Sequence, residues 1–223
     1  MTRRIVIINP NATAAMTTEM VEIGQSFAPP DVEIVGMTNA AGPAAIQGAA
    51  DAAACLPGLF ALTQAPSVAE AAALIIGCFD DTGLEEIRAR MRCPVIGLGE
   101  AGLLAATLAA SRFAVLTTTD GSVPVIQANI GQMSLASRCD AVKAAGVPVL
   151  DLADRMQDLK SALRSLSTET GTGAIVLGCA GMGRIAGQLA EVGLPPLVDP
   201  VRAAVTLALS VIASSVRAEA PLP

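Results

Sequence analysis

Residues 74–80 read LIIGCFD and residues 175–181 read IVLGCAG. Each is a short apolar run that closes on a Gly-Cys pair, Gly77-Cys78 and Gly178-Cys179. A buried parallel strand has this character, because both of its faces are covered and no polar alternation is needed. The likeness continues downstream. The interval from Cys78 to Pro94 equals that from Cys179 to Pro195, a proline-led strand follows in each case (PVIGLGE and PPLVDPV), and an Ala-rich apolar helix follows each strand. The chain therefore reads as one α/β unit used twice.

Along the rest of the chain, Val- and Ile-rich runs alternate with longer stretches of helical periodicity, the pattern of β-α units with parallel strands. Strands are expected near Ile5 to Asn9, Val32 to Met37, Leu74 to Cys78 and Val95 to Leu98. A second set is expected near Phe113 to Thr117, Val147 to Leu150, Ala174 to Cys179 and Pro196 to Asp199. Met16, Met20, Ile23 and Phe27 share one face of the first helix, and Val201, Val205, Ala208 and Ile212 share one face of the last. The expected fold is α/β: two similar αβα domains with four-stranded, mainly parallel sheets related by a pseudo-twofold axis. Residues 1–98 would form the first domain and 99–199 the second, with a C-terminal helix over 200–217 packing back on the first.

Composition bounds the chemistry. The chain has 223 residues, 52% hydrophobic and 15% charged, enough apolar mass for one large or two small domains. A formal net charge of −6 and singly scattered arginines leave no footprint for a phosphate backbone, so nucleic acid is not an expected partner. The apolar run Ile5 to Ile8 is too short for a signal peptide or a spanning helix, which points to a soluble cytoplasmic protein without a membrane partner. The five cysteines, with no CxxC spacing, read as free thiols. Histidine is absent, so Cys-His and Ser-His dyads are impossible, and no metal cage is suggested. Lys143 and Lys160 lie outside the motifs, which argues against Schiff-base chemistry.

In a parallel α/β sheet the carboxyl ends of the strands face the ligand crevice. If two such sheets face each other about a pseudo-twofold axis, Cys78 and Cys179 approach one cleft from opposite sides. An acid and a base on opposite faces of one carbon are what stereoinversion needs: one thiolate removes the α-proton and the other thiol returns a proton from the far side. Thr82 and Glu85 have the spacing of a capping box, which would start a helix just after Cys78 and lower its pKa. Asp80 and Asp81 oppose that effect, so one cysteine is expected to rest as thiol and its partner as thiolate.

Blander readings stand beside these. Free cysteine is usually inert packing, which is the reading for Cys55 and Cys93, while Cys139 reads as an incidental thiol. The segment Gly181-Met-Gly183-Arg-Ile-Ala186, with Asp199 ending the next strand, also matches a dinucleotide fingerprint, although the matching turn of the first half keeps the cysteine and not the glycines. Asn9 and Asn11 also fit turn residues around Pro10, and Asp80 and Asp81 fit helix entry.

The stretches NPN (9–11), GPAAIQG (42–48), CFDDTGL (78–84), FAVLTTT (113–119) with Val123-Pro124, LGCAGM (177–182) and VDPVRAAV (198–205) resemble the hydantoin and allantoin racemases of the aspartate/glutamate racemase superfamily. The resemblance spans essentially the whole chain. It implies an active site between two α/β domains, no cofactor, neither metal nor pyridoxal phosphate, and Cys78 and Cys179 as the catalytic pair. It implies substrate binding by Asn9, Asn11, Gln47 and Phe79, by Asp80, Thr117 and Thr118, and by Ala180 and Gly181. CFDD and CAGM set the chain apart from the amino-acid racemases, and Thr82 stands where the hydantoin enzymes commonly have proline. The reading is a cofactor-independent racemase of 5-substituted hydantoins or allantoin, with a small molecule as partner and a closed homo-oligomer as the expected assembly. Alternatives on the same residues are an aspartate/glutamate-type racemase, a decarboxylase or isomerase using one cysteine, and a metabolite-binding protein without chemistry.

Overall fold

A continuous run of β-branched residues with no polar break must be covered on both sides, and Ile5, Val6, Ile7 and Ile8 are all fully buried. They belong to β1 (Arg3–Asn9), which pairs in parallel with β2 (Val32–Thr38) and with β3 (Ala73–Ile76). The edge strand β4 (Val95–Gly97) pairs with β3, giving a sheet of order β2-β1-β3-β4. The structure, a computed structural model, describes residues 2–214. The first half also contains α1 (Ala14–Gln25), α2 (Ala49–Leu62), α3 (Pro66–Ala69) and α4 (Leu84–Arg88).

The same arrangement recurs. Helix α5 (Leu98–Ala109) leads into β5 (Phe113–Thr117), α6 (Val123–Gln132), β6 (Cys139–Ala144), α7 (Met156–Thr170), β7 (Ile175–Leu177), α8 (Ala186–Leu189) and β8 (Leu197–Val198). The second sheet is again all-parallel, in the order β6-β5-β7-β8, so each strand of the first half has its counterpart four strands later. Helix α9 (Pro200–Ser214) ends the described chain, and residues 215–217 of the expected C-terminal helix lie outside the described residues.

Side chains alternate across each sheet, so each strand feeds two cores. Ile5, Ile7, Ala73 and Ile75 pack with Met20 of α1, Ala101 of α5 and Val201, Ala204 and Val205 of α9. Val6, Ile8, Leu74 and Ile76 pack on the opposite face with Leu59 of α2 and Ile87 of α4. In the second sheet Leu116, Ile175 and Leu177 pack with Leu159, Leu163 and Leu166 of α7. Phe113, Val115 and Val176 pack with Leu103 and Ala106 of α5 and Ile126 and Ile130 of α6. Helix α5 therefore contributes to a core of each sheet, and α9 covers the first sheet.

Two sequence expectations are corrected. The strand expected over Val147 to Leu150 is β6 at Cys139–Ala144 instead, and Val149–Asp151 forms a 3-10 turn. Strand β6 is an edge strand, half-buried at all its positions and interrupted by Asp140 and Lys143, so its apolar signal is weak. The Thr82-Glu85 capping box does not form: Gly83, at φ 73°, is the N-cap of α4, and the buried Thr82 hydroxyl has no hydrogen-bond partner. Asp81, itself at φ 53°, turns the chain so that its carboxylate caps α5 instead, accepting the backbone N–H groups of Gly99 at 2.9 Å and Glu100 at 2.7 Å.

Candidate active site

The two Gly-Cys pairs are placed by the same backbone device. The N–H of Gly77 donates to the carbonyl of Ile8 at 2.8 Å, and the N–H of Gly178 donates to that of Leu116 at 2.7 Å. A Cβ at Gly77 would stand 3.1 Å from the Ile8 oxygen, and one at Gly178 would stand 3.0 Å from the Leu116 oxygen. Glycine thus lets the neighbouring strand close up, and the next residue, Cys78 or Cys179, leaves the sheet at its carboxyl end and lines a shared cavity.

That cavity measures about 30 Å³. The first half contributes Asn11, Met16, Ile46 and the run Gly77 to Asp80, and the second contributes Thr118, Ser122, Val149 and the run Gly178 to Ala180. Equivalent elements face each other: Asn11 and Thr118 follow β1 and β5, Ile46 and Val149 follow β2 and β6, and the two cysteines follow β3 and β7. None of the lining residues is Lys or Arg.

Of the residues expected from sequence, Cys78, Cys179, Asn11, Phe79, Asp80, Thr118 and Ala180 line the cavity, while Asn9, Gln47, Thr117 and Gly181 stand behind or beside it. Asn9 is fully buried; its amide donates to Asn11 Oδ1 at 3.0 Å and to Thr17 Oγ1 at 3.0 Å, and its own Oδ1 accepts the Asn11 N–H at 3.1 Å. It is both a turn residue and the support that orients Asn11. The Thr117 hydroxyl donates to the Gly178 carbonyl at 3.1 Å, bracing the strand end that carries Cys179. Gln47 Oε1 accepts the Val149 N–H at 3.1 Å and so ties the loop after β2 to the loop after β6. Met16, Ile46, Ser122 and Val149 line the cavity without having been singled out from sequence. Ser122 sits directly before the Val123-Pro124 pair, so position alone could have flagged it.

Burial pushes the Cys78 thiol well above its ordinary pKa, and the neighbouring Asp80 carboxylate pushes in the same direction against the Asp80 N–H that bonds the sulfur. Burial also raises Cys179, to about 11, against the lowering N–H groups of Gly181 and Met182. Both cysteines therefore rest as thiols at neutral pH, which corrects the expected thiol-thiolate pair: enclosure outweighs the donors at each sulfur. Asp80 is raised to about 6 by burial, opposed by the hydrogen bond that Ser122 Oγ donates to its Oδ2 at 3.1 Å. The Asn129 amide of α6 holds the Asp80 carbonyl at 3.0 Å, so this residue of the first half is clamped by the second.

The remaining thiols lie elsewhere: Cys55 is buried in α2, and Cys93 and Cys139 are half-buried. Lys143 pairs with Glu169 and Lys160 with Glu191, and neither lines the cavity. The dinucleotide reading loses its helix, because Ala180–Met182 is a 3-10 turn and α8 has four residues. Asp199 is engaged instead in capping α9, its Oδ1 accepting the Val201 N–H at 2.9 Å. Among the described residues no group of three or more Cys, Asp or Glu is placed to hold a metal ion, and no helix is long and apolar enough to cross a membrane.

Comparison with known proteins gives a consistent result. A family model described as Asp/Glu/Hydantoin racemase matches residues 5–208. A hydantoin racemase of Rhizobium meliloti is 34% identical over 206 residues, covering 91% of this chain and 86% of that one. The structure of an allantoin racemase from Klebsiella pneumoniae superposes with a TM-score of 0.87 at 33% identity, covering 95% of this chain and 88% of that one. An allantoin racemase from Pseudomonas fluorescens gives a TM-score of 0.88 at 28% identity, with 94% and 91% covered.

Proposed function

The chain belongs to the Asp/Glu/Hydantoin racemase family, and from that premise we propose that it racemises 5-substituted hydantoins or allantoin, with Cys78 and Cys179 as its acid-base pair. The observation that carries the reading is the arrival of two cysteines in one cavity from equivalent strand ends of two like sheets. The reacting carbon lies between the sulfurs, next to a ring carbonyl. One cysteine first releases its thiol proton to solvent; the resulting thiolate takes the C5 proton, electrons move onto the carbonyl oxygen as an enolate, and the opposite thiol returns a proton to the other face. Asn11 and Thr118 line the cavity and supply donors for the enolate. The Asp80 carboxylate accepts a ring N–H.

Charge supports a cyclic ureide over an amino acid. The lining residues hold a carboxylate and no cation, so an α-carboxylate would find no counter-charge, whereas an uncharged ring needs none. The absence of histidine and the placement of both lysines on ion pairs outside the cavity support a cofactor-independent reaction, so activity is expected to survive chelation and the lack of added pyridoxal phosphate. Five free thiols support a cytoplasmic enzyme. The exposed Leu104 and Leu108 on α5 support assembly into a closed homo-oligomer.

The test is α-proton exchange in D₂O, followed by NMR on each pure enantiomer. Cys78→Ser and Cys179→Ser should each abolish racemisation, and each should retain exchange for one enantiomer, opposite in the two variants. If both variants exchange the same enantiomer, or either racemises at near the unmodified rate, the two-cysteine reading is wrong.

A further inference from the structure

A second, larger space adjoins the cavity. Its volume is about 440 Å³, and its inner wall is apolar, formed by Met16, Leu152, Met156 and Ile185. Met16 and Val149 line both spaces and so make the partition between them. Gly181 stands where the larger space comes nearest the chemistry: a Cβ there would lie 3.0 Å from Leu152 Cδ1, 3.6 Å from Met16 Cε and 3.8 Å from Cys179 Sγ. Any side chain at this position would project into the passage.

A cavity of about 30 Å³ holds water-sized guests, since roughly 10–15 Å³ accommodates one water, and a five-membered ring with two carbonyl oxygens needs more. The partition has to give way when a ring is seated. Met16 is suited to this, because its unbranched thioether repacks at low cost: it lies half-buried at the margin of the core that holds Leu152 and Ile185, and its sulfur takes one long contact from the Asn11 amide at 3.6 Å. Moving it joins the two spaces on the side of Cys179.

We propose that the larger chamber receives the 5-substituent of the substrate, and that the chain therefore acts on hydantoins with bulky apolar 5-substituents in preference to allantoin. The inference rests on reading the smaller cavity as a hydantoin site. The polar groups around the chamber are largely engaged already: Arg184 donates to Glu19 at 2.5 Å, and the Thr13 hydroxyl donates to the Ala44 carbonyl at 2.7 Å. Gln188 lies at the exposed edge. A ureido tail, as in allantoin, would lose water on entering and meet an apolar wall, whereas a benzyl or isobutyl group gains by the same burial. Leu150, 56% exposed, marks the open end, so longer substituents extend toward solvent.

The experiment measures kcat/KM by polarimetry for 5-benzylhydantoin, 5-methylhydantoin and allantoin, in the unmodified enzyme and in Ala153→Phe and Met156→Glu. Ala153 is exposed on the chamber wall, so its enlargement fills the chamber without entering a core, and thermal melts check that both variants fold. The unmodified enzyme should prefer 5-benzylhydantoin to allantoin by at least tenfold. The ratio of 5-benzyl to 5-methyl activity should fall at least fivefold in each variant that folds. A smaller preference, or a smaller fall, overturns the chamber assignment while leaving the two-cysteine reading in place. Failure of the unmodified enzyme to racemise any hydantoin overturns that reading, and the chamber assignment with it.

Discussion

Ser122 Oγ donates a 3.1 Å hydrogen bond to the Asp80 carboxylate, fixing a negative charge of the first half with a hydroxyl of the second. That charge is felt by both sulfurs of the cavity, since Asp80 raises Cys78 and Cys179 alike. With a pKa of about 6, Asp80 is ionised at pH 8.

Removing this charge should make both thiols easier to ionise. In Asp80→Asn, alkylation of Cys78 and Cys179 by iodoacetamide at pH 8 is expected to accelerate about tenfold, which corresponds to one pKa unit or about 1.4 kcal/mol. Cys55, in α2, serves as the internal reference, and peptide mapping of the alkylated sites gives the rates. Slower or unchanged labelling of both cysteines would contradict the electrostatic account.

Burial dominates the thiols of the free enzyme, and this has a pH signature. Cys179 at about 11 implies labelling that rises about tenfold per pH unit from pH 7 to pH 10 without levelling off, because thiolate is the reactive form. A plateau at pH 7 or 8 would reveal a resident thiolate instead.

The glycines before the cysteines should differ in tolerance. A Cβ at Gly178 meets the Leu116 carbonyl, Thr117 Cβ and Val115 Cγ1, each at 3.0 Å, and none of these is free to retreat. At Gly77 the contacts are the Ile8 carbonyl at 3.1 Å and the Met20 thioether, which can move. Gly178→Ala should therefore cost about 1–3 kcal/mol of stability and most of the activity, and Gly77→Ala less of both, as read by thermal melts and initial rates.

Asp81 caps α5 from a half-buried position, and the desolvation of its carboxyl raises its pKa from an ordinary 3.8 to about 8. The folded state then holds the proton more tightly than the unfolded chain, so this group's contribution to stability falls as pH rises from about 4 to 8. Asp81→Ala should lose the cap, about 1–2 kcal/mol, and lower the melting temperature. The gap between the two proteins should be widest at pH 4 and narrow steadily as pH rises to about 8. A gap that widens with pH would reverse the sign of the coupling.

Where burial was complete, the sequence was readable. The β1, β3, β5 and β7 runs announce themselves because both faces of a central strand are covered, and the repeat of Gly-Cys follows from the close approach of the neighbouring carbonyl. Edge strand β6 was missed because half-burial admits Asp140 and Lys143, while Val147 to Leu150 looks strand-like but follows the Pro148 bend into a 3-10 turn. The role of Asp81 depends on N–H groups 18 and 19 positions away, and no local pattern encodes such a contact. Both cysteines were legible from their places at strand ends, whereas Asn11, beyond the end of β1, was reached only through the family resemblance. Ile46 and Val149 were not, since they reach the cavity only through loops whose course is set by the Gln47 tie between the halves.

Helix α9 carries one more implication. Val201, Ala203, Ala204, Val205 and Ala208 complete the core beneath Ile5, Ile7 and Ile75, so the layer that seals the first sheet is encoded after the whole of the second sheet. During synthesis the second half has all of its described strands and helices before α9 emerges, whereas the first half waits for α9, the last described helix. Completion thus runs opposite to the order of translation. The strands of the first sheet leave the ribosome before those of the second yet are sealed after them, and a nonsense mutation near residue 200 would expose the apolar face of the first sheet.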